Sequence, residues 1–300
     1  MRRLSRLSRR AGFTLVELIV AITISGLVMG SIYNILASNQ RFYQAQNQIL
    51  DVQQNIRAVA QILPGELRGL DPNGGDSVAM SDTAITIKAM RAFSVLCTTP
   101  TAADVTARQI TIRNALTSGY RAIDATRDNA LIFGEGNPRL SNDDRWLLAP
   151  IAASASANCA DGSAGTRLTL TGMVNGDSLG VKAAVGDEGV LLGAPLRTFE
   201  VVNYRLYNDG TGTWWLGIRT YASGAWSATS PIAGPLRAND GLLLEYRDSN
   251  QVLTATTTAV RRIRITVRGR STQPINIPGH VAGYFQDSIV ARVALRNYAR

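Results

Sequence analysis

The sequence has few of the residues that build metal and catalytic centres. Its 300 residues include one histidine, His280, and two cysteines, Cys97 and Cys159, which are too far apart to form a Cys-x-x-Cys pair. A Walker-type phosphate loop and a His-Glu-x-x-His motif are also absent. Zinc sites need several Cys or His ligands, and these motifs mark large classes of enzymes. We therefore expect no enzyme activity, no cofactor and no metal, and we interpret His280 as a surface or capping residue.

Acidic residues are missing from the first twelve positions. The arginines there are Arg2, Arg3, Arg6, Arg9 and Arg10. Of the formal net charge of +9, these five account for five, which leaves +4 for residues 13–300. Arginines that precede an apolar segment keep the N-terminus in the cytoplasm and direct the following chain outward. The alternative interpretation is a nucleic-acid-binding arm.

A long apolar run follows this basic leader. Residues 18–37 carry no formal charge over twenty positions. As a helix they would extend about 30 Å, the thickness of the hydrocarbon core of a bilayer. Glu17 directly precedes the run, and a carboxylate in such a segment costs about 2.5–3.5 kcal/mol at mid-membrane. The pattern predicts a membrane span with a carboxylate that has a specific partner.

The residues around this carboxylate carry a family resemblance. The motif is Gly12-Phe13-Thr14-Leu15-Val16-Glu17, followed by the apolar run with Gly26. It resembles the class III signal of type IV prepilins and of the pseudopilins of type II secretion. The resemblance implies cleavage between Gly12 and Phe13 by a prepilin peptidase, N-methylation of Phe13, and retention of the helix as membrane anchor and filament core. It covers about thirty residues.

Two roles are open for Glu17. Thr14 and Glu17 have the spacing of a capping box, in which the two side chains cap the start of their own helix. In the family, this Glu is thought to meet the N-terminal amine of a neighbouring subunit. We favour the intersubunit role and expect both Thr14 and Glu17 to act in filament assembly. Many major pilins have a proline where this chain has Asn34, so melting of the helix on assembly is an open question.

Beyond residue 37 the sequence predicts an amphipathic continuation of the helix. Apolar side chains recur at spacings of three and four, which is the helical period. They are Phe42, Ala45, Ile49, Val52, Ile56, Val59 and Leu63. We expect Pro64-Gly65 to disrupt this helix, and residues 71–75 to form a turn. From residue 13 to residue 63 the helix would be about 75 Å long.

The remainder reads as short strands between turns. The candidate strands are residues 84–89, 109–114, 167–171, 190–192, 199–207, 214–221, 242–247, 262–268 and 288–295, and residues 152–165 are predicted to be a loop. The fold class predicted is therefore α+β: a long N-terminal helix on a mainly antiparallel β-rich domain. The predicted divisions are 1–12 (leader), 13–37 (transmembrane and filament-core helix), 38–70 (amphipathic continuation) and 71–300 (exported β-rich domain).

Several features outside the motif have alternative interpretations. Cys97 and Cys159 either form a disulfide in an oxidising compartment or are buried or free thiols. Arg262, Arg264 and Arg268 alternate with Ile263, Ile265 and Val267, so they form either a solvated strand face or a basic surface for DNA, lipid or an acidic neighbour. Trp214-Trp215 with Tyr221 fits core packing better than ligand stacking. Asn142-Asp143-Asp144 and Asp187-Glu188 lack the spacing of a calcium loop.

The resemblance and the size of the exported region together imply a function. We expect a minor pilin, similar to PilW-like minor pilins whose chains end in Val-x-Leu-Arg-Asn, as residues 293–297 do here. Implied partners are the prepilin peptidase, other pilin subunits, the inner-membrane assembly platform and membrane lipid; nucleic acid is an open question. The alternatives are a J-type type II secretion pseudopilin, a DNA-uptake pilin, and an uncleaved single-pass anchored binding protein.

Overall fold

The structure is a computed structural model, and it describes residues 14–139, 144–172, 189–275 and 283–296. These residues contain two α-helices, α1 (Leu15–Leu67) and α2 (Ala102–Ala107). The strands are β1 (Ser77–Met80), β2 (Ala84–Val95), β3 (Gln109–Arg113), β4 (Ser118–Gly119), β5 (Asn129–Gly134), β6 (Arg145–Asn158), β7 (Ala164–Leu170), β8 (Pro195–Asn208), β9 (Trp214–Ala222), β10 (Ala225–Trp226), β11 (Ser230–Leu236), β12 (Leu242–Arg247), β13 (Arg262–Arg270) and β14 (Gln286–Ala294). The predicted fold class, a long helix followed by an antiparallel β-rich domain, is confirmed.

The chain divides into two compact units. One unit consists of the residues up to Asp51 together with Ser271–Phe285. Within it, the carboxamide oxygen of Gln48 accepts a hydrogen bond from the backbone N–H of Gln273 at 3.2 Å, and Ala45 is buried. The other unit consists of Val52–Arg270 and the residues from Gln286 onward, and it contains the sheet.

β8 is the central strand of the sheet. β2 pairs with it along one edge, from Pro195 to Arg205. On the opposite edge β5 pairs with residues 196–199, and β9 pairs with residues 201–208. The sheet therefore forks at Glu200, where one neighbouring strand ends and another begins.

One branch of the fork closes on itself. From β5 it continues through β6 and β7 to β3, and Leu96 at the end of β2 bridges Ile112 of β3. The inward side chains of this lobe form a buried apolar core, as alternation in strands requires. Its members are Leu96, Ile110, Ile112, Ala130, Ile132, Leu147, Ala149, Ile151, Leu168, Leu170, Val190, Ala194 and Leu196.

The other branch runs from β9 through β11 to β13, which has β12 and β14 beside it. The last turns of α1 bury their apolar stripe in the unit that contains this branch, and Val52, Ile56, Val59, Leu63 and Leu67 are all nearly inaccessible. Gly269 of β13 permits close approach: an added Cβ would lie 2.6 Å from Val52 Cγ1 and 2.7 Å from Ile56 Cγ2.

The structure corrects three sequence predictions. Pro64 does not end α1, which continues to Leu67, because the proline lies in the last turn and Leu63 and Leu67 beside it are buried. The predicted strand at 190–192 is absent, and Gly189 makes only an isolated bridge with Glu135.

The predicted loop at 152–165 is mostly strand. β6 continues to Asn158 and pairs with β7 in an antiparallel ladder, so only residues 159–163 form the turn. Ala and Ser have low strand propensity, but backbone pairing with β7 decides the conformation. The turn predicted at 71–75 is present: the Gly75 N–H donates to the Pro72 carbonyl at 3.2 Å.

Candidate functional site

The start of α1 holds the two described residues of the predicted assembly site. The Thr14 N–H and hydroxyl both donate to Glu17 Oε2, at 2.9 and 3.0 Å, and the Glu17 N–H donates to Thr14 Oγ1 at 3.2 Å. This is a reciprocal capping box, which satisfies helix donors that would otherwise lack partners. The capping interpretation of Glu17 is therefore realised in the isolated chain. Both side chains are exposed, so the carboxylate also remains accessible to another molecule.

The first part of α1, from Leu15 to Leu36, presents apolar side chains outward on every side. Its exposed large residues include Leu15, Val16, Leu18, Ile19, Val20, Ile22, Ile24, Leu27, Val28, Met29, Ile32, Ile35 and Leu36. Among the described residues, α1 is the one helix long and apolar enough to cross a membrane by length and composition. Its most apolar segment is not buried by the rest of the described chain. A continuous apolar surface of this size needs a covering of lipid or protein.

Two hydroxyl groups of this apolar segment donate hydrogen bonds within the helix. Thr23 Oγ1 donates to the Ile19 carbonyl at 2.7 Å, and Ser31 Oγ donates to the Leu27 carbonyl at 2.9 Å. In hydrocarbon an unpaired hydroxyl is costly, so these bonds suit an apolar medium. α1 is unbroken through Gly26, Gly30 and Asn34.

The cysteines are joined in the structure. A disulfide links Cys97, just after β2, to Cys159, just after β6, with their Cα atoms 5.2 Å apart. Arg113 of β3 pairs with Asp161 in the turn that follows Cys159, at 2.7 Å. Hydrogen bonds from Ser163 and then Arg113 hold the pKa of Asp161 well below its usual value. The bond and the ion pair thus fasten the β6–β7 turn beside the point where the lobe closes.

Two of the three arginines in the stripe on β13 have acidic partners. Ile263, Ile265 and Val267 are buried, as the alternation predicts. Arg264 pairs with Glu245 at 3.2 Å, and Arg268 pairs with Asp240 at 3.3 Å. These neighbours offset much of the positive charge that the sequence offers to an anionic partner. Trp215 donates its indole N–H to Asp209 at 2.9 Å.

Sequence reasoning missed a buried ionic network at the end of α1. Arg91 of β2 donates to Glu66 of α1 at 3.0 and 3.1 Å, and its Nε donates to Glu200 of β8. Arg121 makes a two-pronged pair with Asp128 and lies 3.4 Å from Glu200. The sequence contained one indication of this: Arg91 follows the same two-residue alternation as the buried Ile85, Ile87 and Ala89, which places it on the buried face of β2.

The charge state of Arg91 follows from this surrounding. Burial by itself would lower its pKa, but the carboxylates of Glu66 and Glu200 raise the pKa above the usual value. The guanidinium therefore stays charged and holds both acids. For the neighbouring Tyr204, whose charged form is an anion, burial raises the pKa of the phenol. The network joins the last turn of α1 to two strands of the sheet.

Several predicted features lie outside the described residues. They are Gly12, Phe13, Asn142, Asp143, Asp187, Glu188 and His280. Residues 176–180, Gly-Asp-Ser-Leu-Gly, also lie outside, and they have the Gly-x-Ser-x-Gly spacing of a serine-hydrolase elbow. Within the described ranges, no group of three or more His, Cys, Asp or Glu side chains is placed to hold a metal ion.

Comparison with known proteins concerns the N-terminus. Comparing the chain with curated proteins and with solved structures gives no match. Residues 7–33 match the family model described as prokaryotic N-terminal methylation motif. The match includes the capping box, most of the apolar run and the predicted cleavage site. It covers the N-terminal region only, and it supports a likeness of that region to type IV prepilin-like proteins.

Proposed function

We propose that this protein is a minor-pilin-like structural subunit of a type IV pilus, with a role in priming or at the tip. Prepilin peptidase cleaves it between Gly12 and Phe13 and methylates Phe13. The apolar half of α1 anchors the chain in the inner membrane, with the N-terminus cytoplasmic and the β-rich domain exported. The subunit then enters the filament with other pilins at the assembly platform. It acts without catalysis and without a cofactor.

One observation carries the proposal: a methylation motif leads directly into a helix whose apolar surface is uncovered and whose Thr23 and Ser31 hydroxyls are bonded within the helix. Such a helix can lie in lipid before assembly and can pack against neighbouring helices in the filament. Two further features support a minor pilin of the PilW-like kind. The β-rich region is large, and the C-terminal Val293 and Leu295 are buried in their unit. Assembly into a type II secretion pseudopilus is the alternative for the same helix.

The primary experiment is mass spectrometry of the N-terminus of the protein from its native host. We expect a chain that begins with N-methyl-Phe13. A chain that begins at Met1 in every membrane fraction would overturn the proposal and favour an uncleaved anchored protein. Co-purification with sheared pili rather than with a secretion complex separates the two filament types.

A second experiment separates the two roles of Glu17. Glu17→Gln keeps an oxygen that accepts the Thr14 hydrogen bonds but removes the charge, whereas Thr14→Ala weakens the cap and keeps the charge. We expect both variants to insert into the membrane. Glu17→Gln should be lost from filaments, because an amine in low dielectric needs a charged partner, and Thr14→Ala should enter them at a reduced level. If Glu17→Gln enters filaments normally, the intersubunit role is wrong.

A further inference from the structure

The outward face of the central strands combines cations with aromatic rings. Alternation along β8 buries Leu196, Thr198, Glu200 and Val202 and turns the intervening residues to the other side. In register with them are the outward residues of β2 and β9. This face carries Lys88, Arg197, Arg205 and Arg219, and the outward positions of β2, β5, β8 and β9 include neither aspartate nor glutamate.

Many other basic side chains of the sheet have an acidic partner. Arg91, Arg113, Arg121, Arg127, Arg237, Arg247, Arg264 and Arg268 all have a carboxylate within 4 Å. Across the described part of the chain, Lys88, Arg197, Arg205 and Arg219 have none. Asp76, whose charge acts on Lys88 and Arg197, is buried and accepts the Asp71 N–H at 2.9 Å, and burial raises its pKa. With four cations and one buried carboxylate beside them, the face carries a net positive charge.

Three of the cations are packed over rings. The guanidinium of Arg197 lies 4.8 Å from the centre of the Trp146 ring, that of Arg219 lies 4.5 Å from Trp226, and Lys88 Nζ lies 5.6 Å from Phe199. Cation–π contact fixes a long side chain at little cost in hydration. A guanidinium held in this way presents its N–H groups for two-pronged recognition of an oxyanion.

A cleft opens on this face at the fork of the sheet. It has a volume of about 760 Å³, in the range of small-ligand sites. Its lining is mainly apolar and includes Leu148, Phe199 and Tyr221. The charged residues that line it are Lys88, Arg127 and the buried Asp128. Tyr221 is 40% exposed, so part of its ring is free for a ligand. The cleft thus offers an apolar surface beside a cation.

The cations form a track rather than a single site. Arg197 and Arg205 are eight residues apart on β8, or about 27 Å along an extended strand. Lys88 lies opposite Val201, and Arg219 lies opposite Asn203, so both fall between them. A linear ligand with repeated negative charges matches this arrangement, because each unit meets another fixed cation.

From this placement, we propose that the outward face binds an anionic polysaccharide, such as a uronic-acid polymer, with carboxylates on the cation track and one sugar ring in the cleft against Tyr221. Single-stranded nucleic acid fits less well, since it binds by stacking bases on open aromatic faces. Here Trp146, Trp226 and Phe199 each have a cation over the ring. The inference does not depend on assembly into a filament.

The test uses the full-length protein in nonionic detergent and two forms of one polymer. Polygalacturonate and its fully methyl-esterified form have the same sugar backbone, and the ester replaces each carboxylate charge with a methyl group. Binding is measured by calorimetry at fixed ionic strength. We expect the charged form to bind at least roughly tenfold more tightly, the ratio expected for losing charge-assisted contacts. Equal binding of the two forms, or no binding of either, would overturn the proposal without any variant.

Matched variants locate the site. Arg197→Gln with Arg219→Gln removes two track cations, and Arg264→Gln with Arg268→Gln removes two arginines that are already paired with acids. Both double variants change the net charge equally. We expect the first to weaken polygalacturonate binding about tenfold or more and the second to change it less than about twofold. Equal losses would show an effect of net charge alone and would reject the track.

A third arm uses a single-stranded thymine oligonucleotide. We expect it to bind more weakly than polygalacturonate at the same salt concentration. Tighter binding of the oligonucleotide that is lost in the Arg197→Gln, Arg219→Gln variant would assign the face to nucleic acid and overturn the polysaccharide assignment.

Discussion

The two halves of α1 have the same secondary structure and opposite surroundings. Before Ala45 its large apolar residues are exposed, Leu27 by 70% for example. From Val52 onward the apolar stripe is buried, and Leu63 is 0% exposed. Among the described residues, the large apolar side chains of the first half stay exposed, and we expect lipid or other helices to cover them, whereas the stripe of the second half is part of a folded core. One continuous helix thus has an exposed apolar half and a half that is buried in the protein core.

The largest effect should come from the ionic network at the end of the second half. Arg91→Met keeps an apolar stem of similar length but leaves Glu66 and Glu200 without their shared cation. We expect the free energy of unfolding to fall by about 4 kcal/mol, as when one partner of a buried pair is lost. Urea unfolding followed by tryptophan fluorescence measures this, since all four tryptophans lie in β6, β9 and β10.

Arg264→Met is the control for this change, because its pair with Glu245 is partly exposed on both sides. It should cost less than about 1 kcal/mol. Similar losses for the two variants would mean that the network does not hold the end of α1.

A leucine pair tests the two halves directly. Leu63→Ala removes a fully buried side chain and should lower the unfolding free energy by about 3 kcal/mol. Leu27→Ala makes the same chemical change in the exposed half and should leave the urea midpoint of the sheet unchanged. A loss of comparable size at Leu27 would contradict the division of α1 into two environments.

A glycine pair should give the smallest effect. Gly269→Ala places a methyl group against Val52 and Ile56 and should cost about 2 kcal/mol through overpacking. An added Cβ at Gly30 would meet nothing within 4 Å, so Gly30→Ala should be neutral or slightly stabilising in the isolated subunit. The same fluorescence assay compares them, and a neutral Gly269→Ala would show that the second half of the helix has room to shift on the sheet.

Local patterns in the sequence predicted much of the fold. Alternation identified β12 with the observed bounds, and it placed Ile263, Ile265 and Val267 of β13 on the buried face. It failed between 152 and 165, where Ala and Ser carry no alternation and pairing with β7 imposes the strand. α2 was missed, although Thr101 and Asp104 form a capping box that is visible in the sequence.

The N-terminal motif and the cross-strand charge contacts differ in how well they can be predicted from the sequence alone. The proposed assembly site depends on neighbours within a few positions, such as Thr14 and Glu17, so a short motif contains it. Arg91 and Glu200 are 109 positions apart, and their contact depends on the register between β2 and β8. The cation track likewise exists only after that register places Lys88 beside Val201. Charges that meet across strands leave no spacing to recognise.

The Cys97–Cys159 bond has a consequence for when the protein becomes complete. It joins positions 62 residues apart at the seam where the lobe of β2, β8, β5, β6, β7 and β3 closes. In the folded lobe the paired strands hold the two cysteines together, and the bond persists only away from cytosolic reductants. A shift in gel mobility without reductant would therefore report that the chain has reached an oxidising compartment.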